Sequence, residues 1–564
     1  MELFPHNLTV AGLLSGLAVF SIVSCSGAPV KPADLVLRGG KIATVDSVFF
    51  FAEAVAVSGD RIVKVGKSSE MKPYIGPGTQ VIELDGKLVV PGLIDAHAHL
   101  PGYAEALAEL DLRGTNLFQE IVDMVAKKAK TTLPGEWILG RSWDQNDWDS
   151  KEMPSHELLT KAVPNNPVWL VRVDGHAGIA NKKAMEMCGI TTQTPNLPGG
   201  EILRRKDGAP TGVFIDHAMH LVYSRIPDIP PERERKNLAA AAKNCLAAGL
   251  TGIHDAGVSP VTVEHYKYLI DHDRMGLRIY AMLSDPGVDD LAGFMKKNLL
   301  PDYGGHCLTV RSIKLFIDGT LGSRGAALLE PYSDRPGYSG LLTASFERVE
   351  KVSESALAAG FQVCTHAIGD RGNRLALDAY EQAFRAHPTP DHRFRIEHAQ
   401  VVSPEDIPRF AALGVIPSMQ PTHATSDMYW AQDRLGPERI EGAYVWQKFL
   451  KTGAFIPCGS DFPVEEINPM LGIYAAITRK DPKGWPTNGW FPEERMTREQ
   501  ALRGFTIWAA YAAFQEKLLG SIEAGKLADM VVLSRDILTV APKEILTTVP
   551  EYTIVGGKVR YQRK

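Results

Sequence analysis

Hydrophobic and polar positions divide the chain into three kinds of segment. From Asp34, short apolar stretches alternate with glycine-containing turns: DLVLRGGKIATVD, AVAVSGDRIVKVG and QVIELDGKLVV, punctuated at Gly39-Gly40, Gly59-Asp60 and Asp85-Gly86. That pattern predicts strands joined by hairpin turns. Matching pieces return at the far end as GSIEAGKLADMVVL (520–533) and TIVGGKVRYQ (553–562). A composite β-sandwich built from both ends of the chain, 34–90 with 516–564, is therefore expected.

Between these ends the apolar runs are longer and less alternating, as in strands buried on both faces. They are LVVPGLIDAHAHL (88–100), TGIHDA (251–256), RIYAML (278–283), SIKLFID (312–318), FQVCTHA (361–367), FRIEHA (394–399), GVIPSMQ (414–420) and AFIPCGSD (454–461). Helical periodicity separates many of them, at 237–248, 349–359, 374–387 and 405–412, and a further helix near 119–130 follows the first run. Eight strands alternating with helices predict an α/β fold, a (β/α)8 TIM-type barrel over 91–130 and 236–515. Residues 131–235 break the rhythm. They are rich in Trp, Pro and Gly and hold two strand-like runs, EWILGRSWD and PVWLVRVDGHA. They read as an insertion after the first barrel helix, folded over the barrel mouth, where specificity tends to reside.

The first 25 residues form a third kind of segment. Residues 8–24 are apolar and uncharged, and Ile22-Val23-Ser24-Cys25 resembles a bacterial lipobox, although residues 1–10 carry no Lys or Arg. The expectation is an extracytoplasmic lipoprotein of the bacterial periplasm or cell envelope, membrane-anchored through Cys25, with an uncleaved anchor as the alternative. A chain of 564 residues is too long for one compact core, so two or three domains are expected. A net charge of -5, with no long Lys/Arg run, gives no sign of a nucleic-acid partner. The other cysteines, Cys188, Cys245, Cys307, Cys364 and Cys458, are scattered and include no C-x-x-C pair, which argues against a disulfide framework or a thiolate zinc site. Oligomeric state is left open.

The candidate chemistry lies at the ends of the apolar runs. His97 and His99 are two apart, so in an extended strand they share a face, with Asp95 just below. Lys314, His366, His398 and Asp461 each close or lie within a later run. Singly, each has an ordinary structural reading: an edge lysine, a core histidine, a turn aspartate. Barrel active sites sit at the C-terminal strand ends, and one metal site there accounts for all six at once.

The ordered set PGLIDAHAHL, IKLFIDGTLGSRGA, THAIGDRGN, RIEHAQ, CGSDFPV and GSIEAGKLADMVVL resembles the metal-dependent amidohydrolase superfamily, in particular its YtcJ-like branch, which includes N-substituted formamide deformylases. The resemblance implies a hydrolase of non-peptide C–N bonds with a small-molecule substrate and two divalent metals, most often zinc. It implies that His97, His99 and Asp461 bind the more buried ion, that His366 and His398 bind the outer one, and that Lys314 bridges them as a CO2-derived carbamate. Without that carbamate, a one-metal site of His97, His99 and Asp461 is the better expectation. The implied mechanism is attack by metal-activated hydroxide, with Asp461 as general base and then acid and His398 or a neighbouring donor at the oxyanion.

Further residues are expected to touch substrate. They are Asp318 and Arg324 with Ser323 in DGTLGSRGA, Gln420 and His423 in MQPTH, and Trp143 and His176 in the insertion, beside Arg141 and Asp144. Asp370 is expected to orient His366, and His254 to be structural. The insertion's Trp137, Trp143, Trp148 and Trp169 favour a substrate with an apolar or aromatic part. Esters, lactones, cyclic ureides or a deamination would use the same machinery, and a non-catalytic ligand-binding surface lipoprotein is the alternative of a different class.

Overall fold

A computed structural model describes residues 30–564 except 108 and 228. The lipobox-like segment and Cys25 lie outside the described residues. Among the described residues, no helix is long and apolar enough to cross a membrane.

The two ends of the chain meet in one sheet of eight strands. The N-terminal part supplies Leu35–Ala43, Phe51–Ser58, Arg61–Gly66, Gln80–Glu83 and Leu88–Pro91; the C-terminal part supplies Met530–Leu533, Pro550–Val555 and Lys558–Gln562. Leu88–Pro91 joins the halves, antiparallel to Met530–Leu533 and parallel to Leu35–Ala43. Leu37, Val55, Val89, Val532 and Ile554 are buried together on one side. The hydrogen bonding is continuous through all eight strands, so the two layers expected of a sandwich are not separate sheets.

The apolar run 88–100, read from sequence as one strand, is two. Leu88–Pro91 belongs to the composite sheet and Leu93–Ala98 opens the barrel. Gly92 sits at the break, where a Cβ would come within 2.1 Å of Thr251 Oγ1 and 2.9 Å of Asp529 Cβ. Only a residue without a side chain lets the chain pass from one sheet to the other at that point.

From Leu93–Ala98 the barrel strands follow as Leu250–Val258, Arg278–Ser284, Leu308–Phe316, Gln362–Ala367, Arg395–His398 and Ile416–Ser418, each parallel to the one before. The eighth run, 454–461, is not a regular strand, yet it closes the ring. Met419 N–H donates to Pro457 O at 3.1 Å, while Ala96 N–H donates to Cys458 O at 3.0 Å and Asp461 N–H to His97 O at 2.8 Å. Pro457 has no N–H to give to a ladder. Asp95 ties the seam, accepting from the Ser460 hydroxyl at 2.6 Å, the Ser460 N–H at 3.0 Å and the His97 N–H at 3.1 Å.

Helices Pro231–Ala247, Phe346–Ala359, Asp370–Ala386 and Ile407–Leu413 stand where the periodicity predicts them. The helix near 119–130 differs. Phe118–Ala129 turns Ile121, Val122 and Val125 toward Leu112, Ile138 and Trp148, within the insertion's own core. The helix that follows the first barrel strand is instead the short Leu100–Ala106, whose Leu100 and Ala104 join the barrel core. The insertion has its own sheet of six strands, with Gly200–Arg204, Pro210–Asp216, Ala177–Ala180, Val168–Arg172, Ile138–Trp143 and Leu110–Asp111 side by side in that order.

Candidate metal centre

The C-terminal ends of the barrel strands converge on Asp461. Its Oδ1 lies 3.1 Å from His99 Nε2 and 3.6 Å from His97 Nε2, and its Oδ2 lies 3.7 Å from His423 Nε2. His97, His99 and Asp461 form one cluster with ligand atoms within 4.8 Å of one another, and His398, His423 and Asp461 form a second, so the carboxylate is common to both. Lys314 Nζ, on a side chain only 1% exposed, is 3.3 Å from His97 Nε2. Backbone geometry aims these groups: His398 has φ 72° and Asp461 φ 62°, left-handed values that non-glycine residues hold only where surrounding structure enforces them.

The histidines are oriented from behind. His97 Nδ1 lies 2.5 Å from Glu397 Oε2, and Arg395 Nη2 donates to the same oxygen at 3.0 Å while also holding Ala96 O and Ser418 Oγ. His99 Nδ1 donates to Ala256 O at 2.8 Å, and His398 Nδ1 to Gln420 Oε1 at 2.8 Å. Each of these contacts leaves an Nε2 toward the cluster, as in metal sites whose outer partners set the tautomer. Glu397 and Arg395 are absent from the sequence-based site. Their trace was legible: two opposite charges two apart in a buried strand share one face, which in a barrel is the interior.

Burial sets the charge states. It pushes His97 down to about 4, helped by the charge of Lys314, and holds His366 and His398 well below the usual histidine value. Burial also lowers Lys314 to about 8. On Asp461 burial acts upward, but the surrounding His99, His97 and His398 rings outweigh it and hold the carboxylate well below its usual range. Glu397 is likewise held below the usual carboxylate range, because Arg395 and His97 overcome its burial.

The residues present fit a divalent cation. Asp461 Oδ1 and His423 Nε2 are buried and make no hydrogen bond, a costly arrangement unless something else engages them. Neutral imidazoles around one carboxylate form the usual zinc donor set.

Of the six ligands expected from sequence, His97, His99, Lys314, His398 and Asp461 are brought together. His366 stands beside them, its ring centroid 4.5 Å from that of His398, but its Nε2 faces Gly319 O at 3.4 Å and Asp318 Oδ1 at 3.7 Å. His423, expected to touch substrate, stands among the donors because helix Pro421–Asp427 turns it back over the strand ends.

A cavity of about 680 Å³ opens above the cluster, and His176, Arg141, Phe316, Trp430 and Glu465 are in its wall. Five expected substrate contacts, Trp143, Asp318, Ser323, Arg324 and Gln420, are not. Trp143 is fully buried in the insertion's core, stacked on Trp148, with its indole N–H on Leu170 O. A bulge causes this: Ser142 has φ 72° and the register shifts between Arg141 and Trp143, so Arg141 faces the cavity and Trp143 the core. Asp318 accepts backbone N–H groups from Ile368, Gly369 and Ala327, and thus, rather than Asp370, stands next to His366. Arg324 pairs with Asp334 at 2.9 Å, and Gln420 acts through His398. Trp148 and Trp169 are also core residues, so the tryptophans carry no argument for an aromatic substrate.

A parallel barrel with a histidine–carboxylate cluster at its C-terminal rim defines the class: a barrel enzyme built around a metal site. Comparison with known proteins narrows this. The model of the amidohydrolase family matches residues 80–561. The protein LONG AFTER FAR-RED 3 of Arabidopsis thaliana is 38% identical over 543 residues, spanning 94% of this chain and 92% of its own. N-substituted formamide deformylase of Arthrobacter pascens is 29% identical over 544 residues, spanning 94% of this chain and 98% of its own. The crystal structure of an uncharacterized metal-dependent hydrolase from Pyrococcus horikoshii OT3 superposes with a TM-score of 0.73 at 27% identity, covering 90% of this chain and 99% of that one. The chain belongs to the amidohydrolase family, on its YtcJ-like branch, and is a hydrolase.

Proposed function

We propose that this hydrolase is metal-dependent and cleaves amide-type C–N bonds other than peptide bonds in small molecules, with Asp461 as general base and then general acid. The observation that carries this reading is the buried Asp461 carboxylate, shared by two histidine clusters and lacking a partner on Oδ1. His97, His99 and Asp461 would hold one divalent ion. His398, with His366 and His423 beside it, would hold a second, and Lys314 would bridge the two as a carbamate. Bound there, such ions polarise a carbonyl group and bring the pKa of water from about 15.7 toward about 7.

The chain's own residues do the rest. Asp461, ionised and at the cavity wall, takes a proton from the attacking water and returns it to the departing nitrogen, as a group placed within reach of both must. Burial keeps His97 neutral and Glu397 orients it, so its Nε2 offers a lone pair. Burial lowers the amine of Lys314 to about 8, so far more of it is neutral near neutral pH than of an ordinary lysine. Only the neutral amine adds CO2.

Turnover of p-nitroformanilide beside p-nitrophenyl formate tests the bond class. Release of p-nitroaniline by the zinc-loaded protein supports the proposal, and release of p-nitrophenol alone assigns it to esters. For Lys314, the wild type supplied with zinc and 13C-bicarbonate should retain two equivalents of metal and one labelled carboxyl group per chain. Lys314→Ala should retain one equivalent or none and no label; two equivalents in that variant remove the bridge.

The lipobox-like residues 22–25 support a location in the cell envelope. Expressed with its full leader in a bacterial host, the protein should sediment with membranes, and Cys25→Ser should move it to the soluble fraction. Equal distribution of the two forms rejects the anchor.

A further inference from the structure

The insertion brings to the cavity a pair of side chains for which the reaction as outlined has no use. His176 follows the turn after Val168–Arg172, and Asp216 ends Pro210–Asp216 in the same sheet. His176 Nδ1 lies 2.6 Å from Asp216 Oδ1, and the Asp216 N–H donates to His176 O at 2.9 Å, so the two residues are tied twice. His176 is in the cavity wall, its ring centroid 5.4 Å from that of His366. Asp216, with a side chain 3% exposed, takes φ 48° to reach this position, and its Oδ2 makes no hydrogen bond.

That carboxylate rests against the loop after Leu308–Phe316, the GTLGSRG stretch. A Cβ on Gly319 or Gly325 would come within 3.0 or 2.9 Å of Asp216 Oδ2. The two glycines therefore make room for the carboxylate, which accounts for a motif whose other polar side chains do not reach the cluster. Thr320 Oγ1 donates to Asp174 Oδ2 at 2.7 Å, which joins the same loop to the turn that carries His176. Insertion and barrel are thus fastened on either side of one imidazole.

We propose that His176 is a catalytic residue whose Nε2 hydrogen-bonds to the oxygen of the scissile carbonyl group, and that Asp216 is the residue that positions it. This rests on the hydrolase reading above. When the carbonyl carbon becomes tetrahedral, its oxygen gains negative charge, and a donor fixed beforehand at that oxygen stabilises the transition state more than the ground state. His398 is not placed to be that donor: its Nδ1–H is on Gln420 and its Nε2 faces the ligand cluster with His423 and Asp461. Asp461 is ionised and accepts. His176 has Nδ1–H on a carboxylate and Nε2 free for the cavity. Burial works against a charged ring there, but the hydrogen bond and charge of Asp216 prevail and raise His176 above the ordinary histidine value.

The test uses the full zinc-loaded chain and p-nitroformanilide. His176→Asn and His176→Gln should lower kcat by about 10²–10³, the usual loss for one oxyanion donor, with KM and zinc content unchanged. Asp216→Asn keeps an acceptor for Nδ1–H but removes the charge, and should give an intermediate kcat. Wild-type kcat in the His176 variants overturns the proposal, as does zinc lost together with activity, which would make His176 a ligand. A raised KM at constant kcat overturns it in favour of ground-state binding. If the His176 variants do not fold, Asp216→Asn decides, and wild-type kcat there overturns the proposal. Absence of p-nitroaniline release by the wild type itself defeats the hydrolase reading, and this inference with it.

Discussion

Asp461→Asn should lower kcat for p-nitroformanilide by about 10²–10⁴, the range for loss of a general acid–base group, and should reduce bound zinc at the same time. The substitution suits the question because asparagine, like aspartate, tolerates the left-handed backbone that position 461 requires. Asp461→Ala would add backbone strain to the loss of the carboxylate and mix two effects. Asparagine has nearly the same shape, and its amide NH2 can donate to the Nε2 lone pair of His99, so the thermal midpoint should change little. What is lost is the one negative charge shared by the two histidine clusters. Zinc measured by mass spectrometry beside kcat checks this. An asparagine variant that keeps both near wild type would show that the proton passes through another group.

The second large effect lies behind the metal cluster. Glu397 and Arg395 are both fully buried, with Arg395 Nε 2.7 Å from Glu397 Oε1. Glu397→Gln leaves the guanidinium in the barrel core without its counter-charge and should destabilise the fold by about 3–5 kcal/mol, the cost of breaking a buried pair from one side. It should also weaken zinc binding by about 10–100-fold, because the acceptor that orients His97 loses its negative charge. The double variant Arg395→Met with Glu397→Gln separates the two consequences. Removing both charges should restore much of the stability, whereas zinc affinity should stay low. Thermal unfolding of the metal-free forms, beside zinc titration, reads both. If Glu397→Gln unfolds at the wild-type temperature, the pair is not a support of the barrel core.

Much of the barrel is visible in the sequence because the rule it obeys is local. A strand buried on both faces must be apolar throughout, so the runs at 251–256, 278–283 and 361–367 declare themselves, and a polar residue that closes such a run is conspicuous. His97, His99, Lys314, His398 and Asp461 were found that way. The first run misled for the same reason. Apolar character is identical in the composite sheet and in the barrel, and nothing in LVVPGLIDAH says that the chain changes sheets at Gly92. The helix Phe118–Ala129 has an apolar face that would suit either the barrel wall or the insertion, and periodicity does not say which surface it meets.

Residues outside regular strands escaped differently. Period-two alternation places Arg141 and Trp143 on one face, and a single left-handed Ser142 reverses that. His423 follows its strand on a helical turn, where strand spacing carries no information. Asp216 is 40 residues from His176 along the chain, and their contact depends on how the insertion's strands pair.

The amino-acid sequence by itself determined the parallel barrel, the shared module at the two chain ends, the family and most of the candidate metal-binding residues, because burial periodicity and motif order are written residue by residue. The tertiary structure alone decided which imidazoles gather on Asp461, which tryptophans are core, and that Glu397, Asp216 and their partners hold the site. Those outcomes depend on directions in space, set by bulges, left-handed residues and strand pairing between segments far apart in the chain, and side-chain direction is not a local property of the sequence.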